Sequence, residues 1–282
     1  MKLRSIVLLF VFLAGLSQAQ EASDLRKLTD AEEARAWQAV GRLDLDKAGF
    51  CTGALITERH VLTAAHCVFN RRTGQMYEPE RILFRAGLRN GRATASRRAR
   101  RFTVHDGYRY NDNDKMNRVA TDIAIVELER PIRDTAIIPF DRYERPRTGD
   151  RVMVVSYAAG REDAPSLQET CHMLDVRGSV LVYSCDVTFG ASGSPVFVDS
   201  GNGPKIASVM SAMAQWKDQP VALAASLGAP LDALLQQMNV TDPVFRSLTA
   251  SSSGDRPSIA AQLGRNTKPA IATGRTLPQI SR

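Results

Sequence analysis

From Trp37 onward the chain is cut into short apolar runs, each only a few residues long and bounded by turn formers. Gly53 to Ile56, Arg81 to Ala86, Ile123 to Leu128, Val152 to Tyr157, Val180 to Tyr183, Pro195 to Val198 and Ile206 to Met210 are the clearest. Runs this short do not make amphipathic helices, and their spacing predicts the strands of an all-β sandwich or barrel. Pro131, Pro139 and Pro146 interrupt the stretch from Pro131 to Gly149. That stretch reads as a crossing between two β units, one at about 37–130 and the other at about 147–238. One late segment departs from the pattern. Leu231, Leu234, Leu235 and Met238 recur at helical spacing after Pro230, which predicts a helix over 231–238 with Pro230 at its first position.

The two ends have a different character. Lys2 and Arg4 precede the apolar run Ile6 to Leu16, and Ser17-Gln18-Ala19 follows it. This order predicts a secretory signal peptide over 1–19, with cleavage after Ala19. A membrane anchor is the alternative, but the run is short of the ~20 residues a spanning helix needs, so no anchor is expected after signal removal. Residues 20–36 are charged and helix-compatible and read as a short N-terminal segment. Residues 239–282 are rich in Ser, Thr, Gly, Pro and Arg and are expected to form a basic, disordered tail. The formal charge of +7 falls to +5 without Lys2 and Arg4, and +4 of that lies in the tail. The β units are therefore close to neutral, which does not favour a nucleic-acid-binding fold. Export makes the four cysteines, Cys51, Cys67, Cys171 and Cys185, candidates for two disulfides in a secreted or periplasmic protein. With no CxxC pair and no histidine cluster, no metal site is expected.

Three short frames carry the polar chemistry. His66 lies in Thr63-Ala64-Ala65-His66-Cys67, where small residues let the ring pack closely against the backbone. Ser192 lies in Gly190-Ala191-Ser192-Gly193-Ser194-Pro195, whose glycines allow a tight turn that exposes a hydroxyl. Such a turn aims the N–H groups of Gly190 and Ser192 at one point, an oxyanion hole. Asp122 opens the apolar run Ile123 to Leu128, where a carboxylate must be paired or solvated. The second nitrogen of His66 would satisfy it. Nucleophile, base, orienting carboxylate and oxyanion donors are the parts of serine-based hydrolysis. Asp106, Asp112 and Asp114 compete with Asp122 but sit in a polar loop.

The order His66, Asp122, Ser192 is that of the chymotrypsin class rather than of α/β-hydrolases or subtilisins. With Cys51-Thr52-Gly53-Ala54-Leu55-Ile56, Val61 to Cys67 and Val104-His105-Asp106-Gly107-Tyr108, the chain resembles the trypsin-like peptidase family over about residues 37–238. The resemblance implies two six-stranded antiparallel β-barrels with the triad between them. It also implies endopeptidase activity on protein or peptide substrates through an acyl-enzyme, with no cofactor. Together with proximity in sequence it pairs Cys51 with Cys67 and Cys171 with Cys185. His105 is then a loop residue rather than a catalyst. Ala191 stands where animal members carry Asp, Ser194 where they carry Gly, and no activation sequence precedes Trp37. The form Gly-x-Ser-Gly-Ser-Pro is closer to bacterial secreted members and the glutamyl-endopeptidase branch. On this reading removal of the signal peptide suffices for activity.

The resemblance also places a substrate pocket. Asp186, six residues before Ser192, matches by count the acid that selects Arg or Lys in trypsin-like members. Glutamyl endopeptidases also have an acid near that place, but recognise glutamate with a histidine, and this chain has none after His172. Ser211 would lie beside Asp122, and Met213, where the family often has glycine, would narrow the pocket. Seven arginines and no acid lie between Arg85 and Arg101. They read either as a solvated strand face or as a weak contact for a polyanion. A catalytically silent member that binds a partner through its cleft is the alternative to an enzyme.

Overall fold

The computed structural model describes residues 24–46 and 48–238. The expected signal peptide and basic tail lie outside the described residues. The chain enters through β1 (Arg26–Lys27) and α1 (Ala31–Arg35), the latter started by Asp30, whose side chain accepts from the Glu32 N–H. The expected helix-compatible segment is thus a helix for five residues only. Ahead of it, Arg26 and Lys27 pair with Leu167 and Ser166 of the second barrel, and Leu28 is fully buried. The charges of this segment serve that docking, since Arg26 meets Glu33 and Glu169, and Lys27 meets Asp163.

The first barrel is built from β2 (Val40–Leu45), β3 (Phe50–Leu55), β4 (His60–Thr63), β5 (Ile82–Ala86), β6 (Ala95–Val104) and β7 (Ala124–Leu128). They close antiparallel in the order β2-β3-β4-β7-β6-β5. Val40, Leu43 and Leu45 of β2 are buried with Phe84 of β5, and β7 is buried throughout. Between β6 and β7 stands α2 (Lys115–Ala120), where the Asp114 side chain accepts from the Met116 and Asn117 N–H groups.

The crossing expected over 131–149 has no regular element and is tied to both barrels. Ile132 N–H donates to the Glu58 carbonyl, Phe140 N–H to that of Leu55, and Tyr143 N–H to that of Ile206. The second barrel then follows with β8 (Arg151–Ala158), β9 (Arg161–Arg177), β10 (Val180–Tyr183), β11 (Pro195–Asp199), β12 (Pro204–Trp216) and β13 (Gln219–Ser226). Their order is β9-β10-β13-β12-β11-β8, closed by pairing of β8 with β9, so both barrels have six strands. All registers are antiparallel. Disulfides join Cys51 to Cys67 and Cys171 to Cys185.

The final helix, α3 (Gly228–Gln237), begins three residues earlier than the apolar spacing predicts. Pro230 therefore occupies the third helical position rather than the first. A first-turn N–H has no intrahelical acceptor, so a proline there loses no bond. The helix leaves the second barrel and packs on the first. Arg101 of β6 donates to the Met238 carbonyl at its C-terminal end, and Thr103 bonds Gln237. Among the described residues no helix is long and apolar enough to cross a membrane.

Three rings join the barrels. Trp37 at the entry to the first barrel, Phe140 on the crossing and Phe197 on β11 are all buried, with centroids 5.1 Å apart for Trp37–Phe197 and 4.6 Å for Phe140–Phe197. Phe197→Ala is expected to lower stability by about 3–5 kcal/mol, because the hole it leaves is walled by both barrels and the crossing. Guanidinium denaturation of the variant would show this as a lower midpoint, and an unchanged midpoint would refute it.

Candidate active site

His66 sits in a single 3-10 turn, Ala65–Val68, that follows β4 directly. The Cys51–Cys67 disulfide holds this turn against β3. Asp122 is two residues ahead of β7, where its N–H donates to Val119 at the end of α2. The residue is 2% exposed and its side chain accepts three hydrogen bonds. The His66 N–H reaches Oδ1 at 2.9 Å, His66 Nδ1 reaches Oδ2 at 2.7 Å, and the Ser211 hydroxyl donates to Oδ2. A carboxylate only accepts, so Nδ1 carries the proton of that bond and the other ring nitrogen, Nε2, is left able to accept one. The competing acids are engaged elsewhere. Asp112 accepts from Asn117 and Asp114, Asp114 caps α2, and Asp106 is exposed. His105 accepts from the Gly107 N–H inside its own loop.

Ser192 lies on the turn between β10 and β11, and neutral hydrogen bonds hold that turn. The Thr52 N–H donates to the Ser192 carbonyl at 2.9 Å, and the Thr52 hydroxyl donates to the Gly190 carbonyl at 3.0 Å. Gly193 N–H donates to Met210, and Met210 N–H returns to Ser194. The carbonyl of Phe189 accepts from Ala159, and that of Ala191 from Ser194. In a trans peptide the N–H points opposite to its carbonyl. The N–H groups of Gly190 and Ser192 are therefore turned away from these partners. Gly190 and Gly193 have φ of 94° and 78°, a region that favours glycine. A Cβ on Gly193 would come within 2.3 Å of the Thr52 carbonyl oxygen.

His66, Asp122 and Ser192 line one cleft of about 400 Å³. Val187, Thr188 and Phe189 form one wall, and Met210, Ser211, Ala212 and Met213 of β12 another. Tyr108, Tyr110, Arg118 and Val119 line it from the β6–β7 loop, and Arg71 from the loop after His66. Burial, then the nearby Asp122 carboxylate, raise the pKa of the Tyr108 hydroxyl and keep it neutral. Asp186 is not brought into this cleft. It is exposed, its N–H is tied to Gln168 Oε1, and its successors from Val187 form the wall. Met213, which lines the cleft, is 56% exposed, whereas Met210, which also lines it, is buried. A larger hollow of about 570 Å³, between α1, the β5–β6 connection and Pro165, has no histidine, serine or carboxylate in its lining.

The arginine-rich stretch is largely paired. Glu127 of β7, 3% exposed, accepts from Arg100 and Arg101 and has Arg59 at 3.6 Å. Arg85 meets Asp44, and Arg89 and Arg98 donate to the carbonyls of Thr29 and Glu80.

Residues 51–202 match the trypsin-like peptidase domain. The chain belongs to that family. It is 36% identical over 81 residues to complement C1s subcomponent of Sus scrofa, across 29% of this chain and 11% of that protein. It is 32% identical over 113 residues to a trypsin of Sarcophaga bullata, across 38% of this chain and 39% of that protein. With coagulation factor IX of Oryctolagus cuniculus it shares 27% over 119 residues, 41% of this chain and 40% of that one. The matched region thus spans well under half the length of these relatives. A solved structure of a Glu endopeptidase in complex with MPD superposes with a TM-score of 0.63 over 77% of this chain and 97% of that one. Its identity is 17%, so this likeness is one of fold.

Within this trypsin-like domain one residue missed in the sequence is Thr52. It is fully buried, and besides the two bonds to the Ser192 turn its hydroxyl accepts from the Tyr157 N–H and its carbonyl from the Thr63 hydroxyl. The signal was available, since a polar residue between Cys51 and Gly53 in a buried strand must find partners. Thr52→Val keeps the shape but leaves the Gly190 carbonyl and Tyr157 N–H unpaired. It is expected to cost about 1–3 kcal/mol in chemical denaturation. Wild-type stability in the valine variant would show that the hydroxyl does not hold the turn.

Proposed function

We propose that this protein is a secreted serine endopeptidase in which Ser192 is the nucleophile, His66 the base and Asp122 the carboxylate that orients it. The observation that carries the reading is the fixing of His66 by Asp122 through both its backbone N–H and Nδ1, in a cleft that Ser192 also lines. The Ser192 Oγ attacks the substrate carbonyl carbon while Nε2 of His66 takes the hydroxyl proton. The carbonyl electron pair moves to oxygen, which meets the Gly190 and Ser192 N–H groups. Re-forming the carbonyl breaks the C–N bond, and Nε2 passes its proton to the leaving amine. Water then attacks the acyl-serine with the same base, giving the acid and free Ser192. Selection of Arg or Lys by Asp186 forms no part of this reading, because that carboxylate lies off the cleft. Nor does polyanion docking, because Arg85, Arg100 and Arg101 already face Asp44 and Glu127.

Export is supported by the leader-like residues 1–19 and by two disulfides. Activity without further cutting is supported by the neutral bonds of the Ser192 turn. Ala191 is 1% exposed and offers no charge to a newly freed amine. The stretch from Arg26 to Leu28 is docked on the second barrel.

Ser192→Ala is expected to lower kcat by about 10⁴–10⁶-fold with the fold intact, and His66→Ala to cost a similar amount because the triad acts as a unit. An organophosphonate serine probe should label wild type and not Ser192→Ala. Equal peptide cleavage by both would refute the assignment, and failure of wild type to label or cleave would leave a binding module in its place.

Residues 20–282, expressed without added protease, should titrate with the phosphonate at full stoichiometry. Labelling that appears only after limited trypsin cleavage between Gln20 and Trp37 would make the protein a zymogen.

A further inference from the structure

The charges that line the cleft are unequal. Its cations are Arg71 and Arg118, and its one lining carboxylate, Asp122, is buried with its oxygens occupied by His66 and Ser211. Neither arginine has a carboxylate partner within salt-bridge distance among the described residues. Arg71 rests over the ring of Phe189, 6.0 Å from its centroid, which orients the guanidinium and leaves its edge donors free. Arg118 stands half-buried in the last turn of α2. The carboxylate of Asp112 acts on Arg118 from the same loop, but it already accepts from Asn117 Nδ2 at 2.7 Å and the Asp114 N–H at 3.0 Å. The lining also carries the uncharged side chains of Val187, Phe189, Met210, Ala212 and Met213, with Arg71 over the Phe189 ring.

Resting on the proposed peptidase reading, we infer that the cleft is built for an acidic peptide, with an uncharged residue in the pocket and Asp or Glu side chains within a few residues of the cleaved bond. Arg71 and Arg118 are its specificity-determining residues. A charged side chain lying among these uncharged walls would be desolvated, whereas a carboxylate at their edge meets a guanidinium whose donors are available. A cleft with one sign of charge also draws acidic segments in from solution. The two arginines come from separate elements, the loop after His66 and α2, so each recognises its own part of the peptide.

The test separates recognition from catalysis. Two fluorescein-labelled peptides, identical except that Glu in one is Gln in the other at the positions flanking an uncharged residue, are titrated into Ser192→Ala. The Glu peptide is expected to bind about fivefold tighter at low salt and to lose that advantage near about 0.5 M salt. Arg71→Gln and Arg118→Gln should each remove part of it, the double variant all of it, and Arg71→Lys with Arg118→Lys should retain it. Circular dichroism and melting temperature show whether each variant is folded. Equal binding of the two peptides, or an advantage that survives the double Gln variant, would overturn the inference. Positional-scanning cleavage by wild type should in addition favour an uncharged residue immediately before the cut, and a preference there for Arg, Lys, Asp or Glu would overturn the pocket assignment. A failure of phosphonate labelling would sink the catalytic reading while the binding comparison still decides this one.

Discussion

The arrangement of the site depends on one buried residue, Thr52. Its N–H and hydroxyl hold two carbonyls of the Ser192 turn, and its own carbonyl accepts from Thr63, three residues before His66. Its neighbour Cys51 is bonded to Cys67, directly after His66. A single stretch of β3 therefore fixes the spacing between an element of the first barrel and an element of the second. Because these groups are buried, a lost partner is not replaced by water, and the geometry is held stiffly.

The Ser192 turn is also neutral. The bonds that shape it run between backbone groups or from the Thr52 hydroxyl, and among the described residues none of residues 189–194 takes part in an ion pair. Such a turn keeps its form over a wide range of pH and salt, since none of its partners titrates. The charged bonds of this protein lie mainly at its outside, where Arg26, Lys27, Arg85 and Arg142 meet acids. Besides Asp122, Glu127 is the exception, a buried acid that draws arginines from β6 and from the β3–β4 turn onto β7.

The short apolar runs were sufficient to read two β units, and the runs named in the sequence coincide with β3, β5, β7, β8, β10, β11 and β12. The frames around His66, Asp122 and Ser192 were legible because each confines a polar residue within small or apolar neighbours. Counting alone could not fix the surroundings of Asp186, which is exposed and outside the cleft lining, because a count gives a position along the chain and not the side to which a side chain turns. Arg71 and Arg118 were not found, since they come to one cleft only in space, from elements 47 residues apart. The paired state of the arginine stretch had a visible cue in Glu127, an acid inside an otherwise apolar strand. The early start of α3 had none, because the apolar spacing reports only the residues that face the barrel.

The two ends of the described chain are exchanged between the barrels. The segment that leads into the first barrel is strapped to β9 of the second, and the helix that leaves the second is fastened to β6 of the first. Neither barrel is covered by its own terminus. A break in the crossing between them would sever the backbone without freeing two separable halves, since each would still hold a piece of the other. This geometry makes the exposed part of the connection, Arg133 to Ala136, a tolerable place to be nicked.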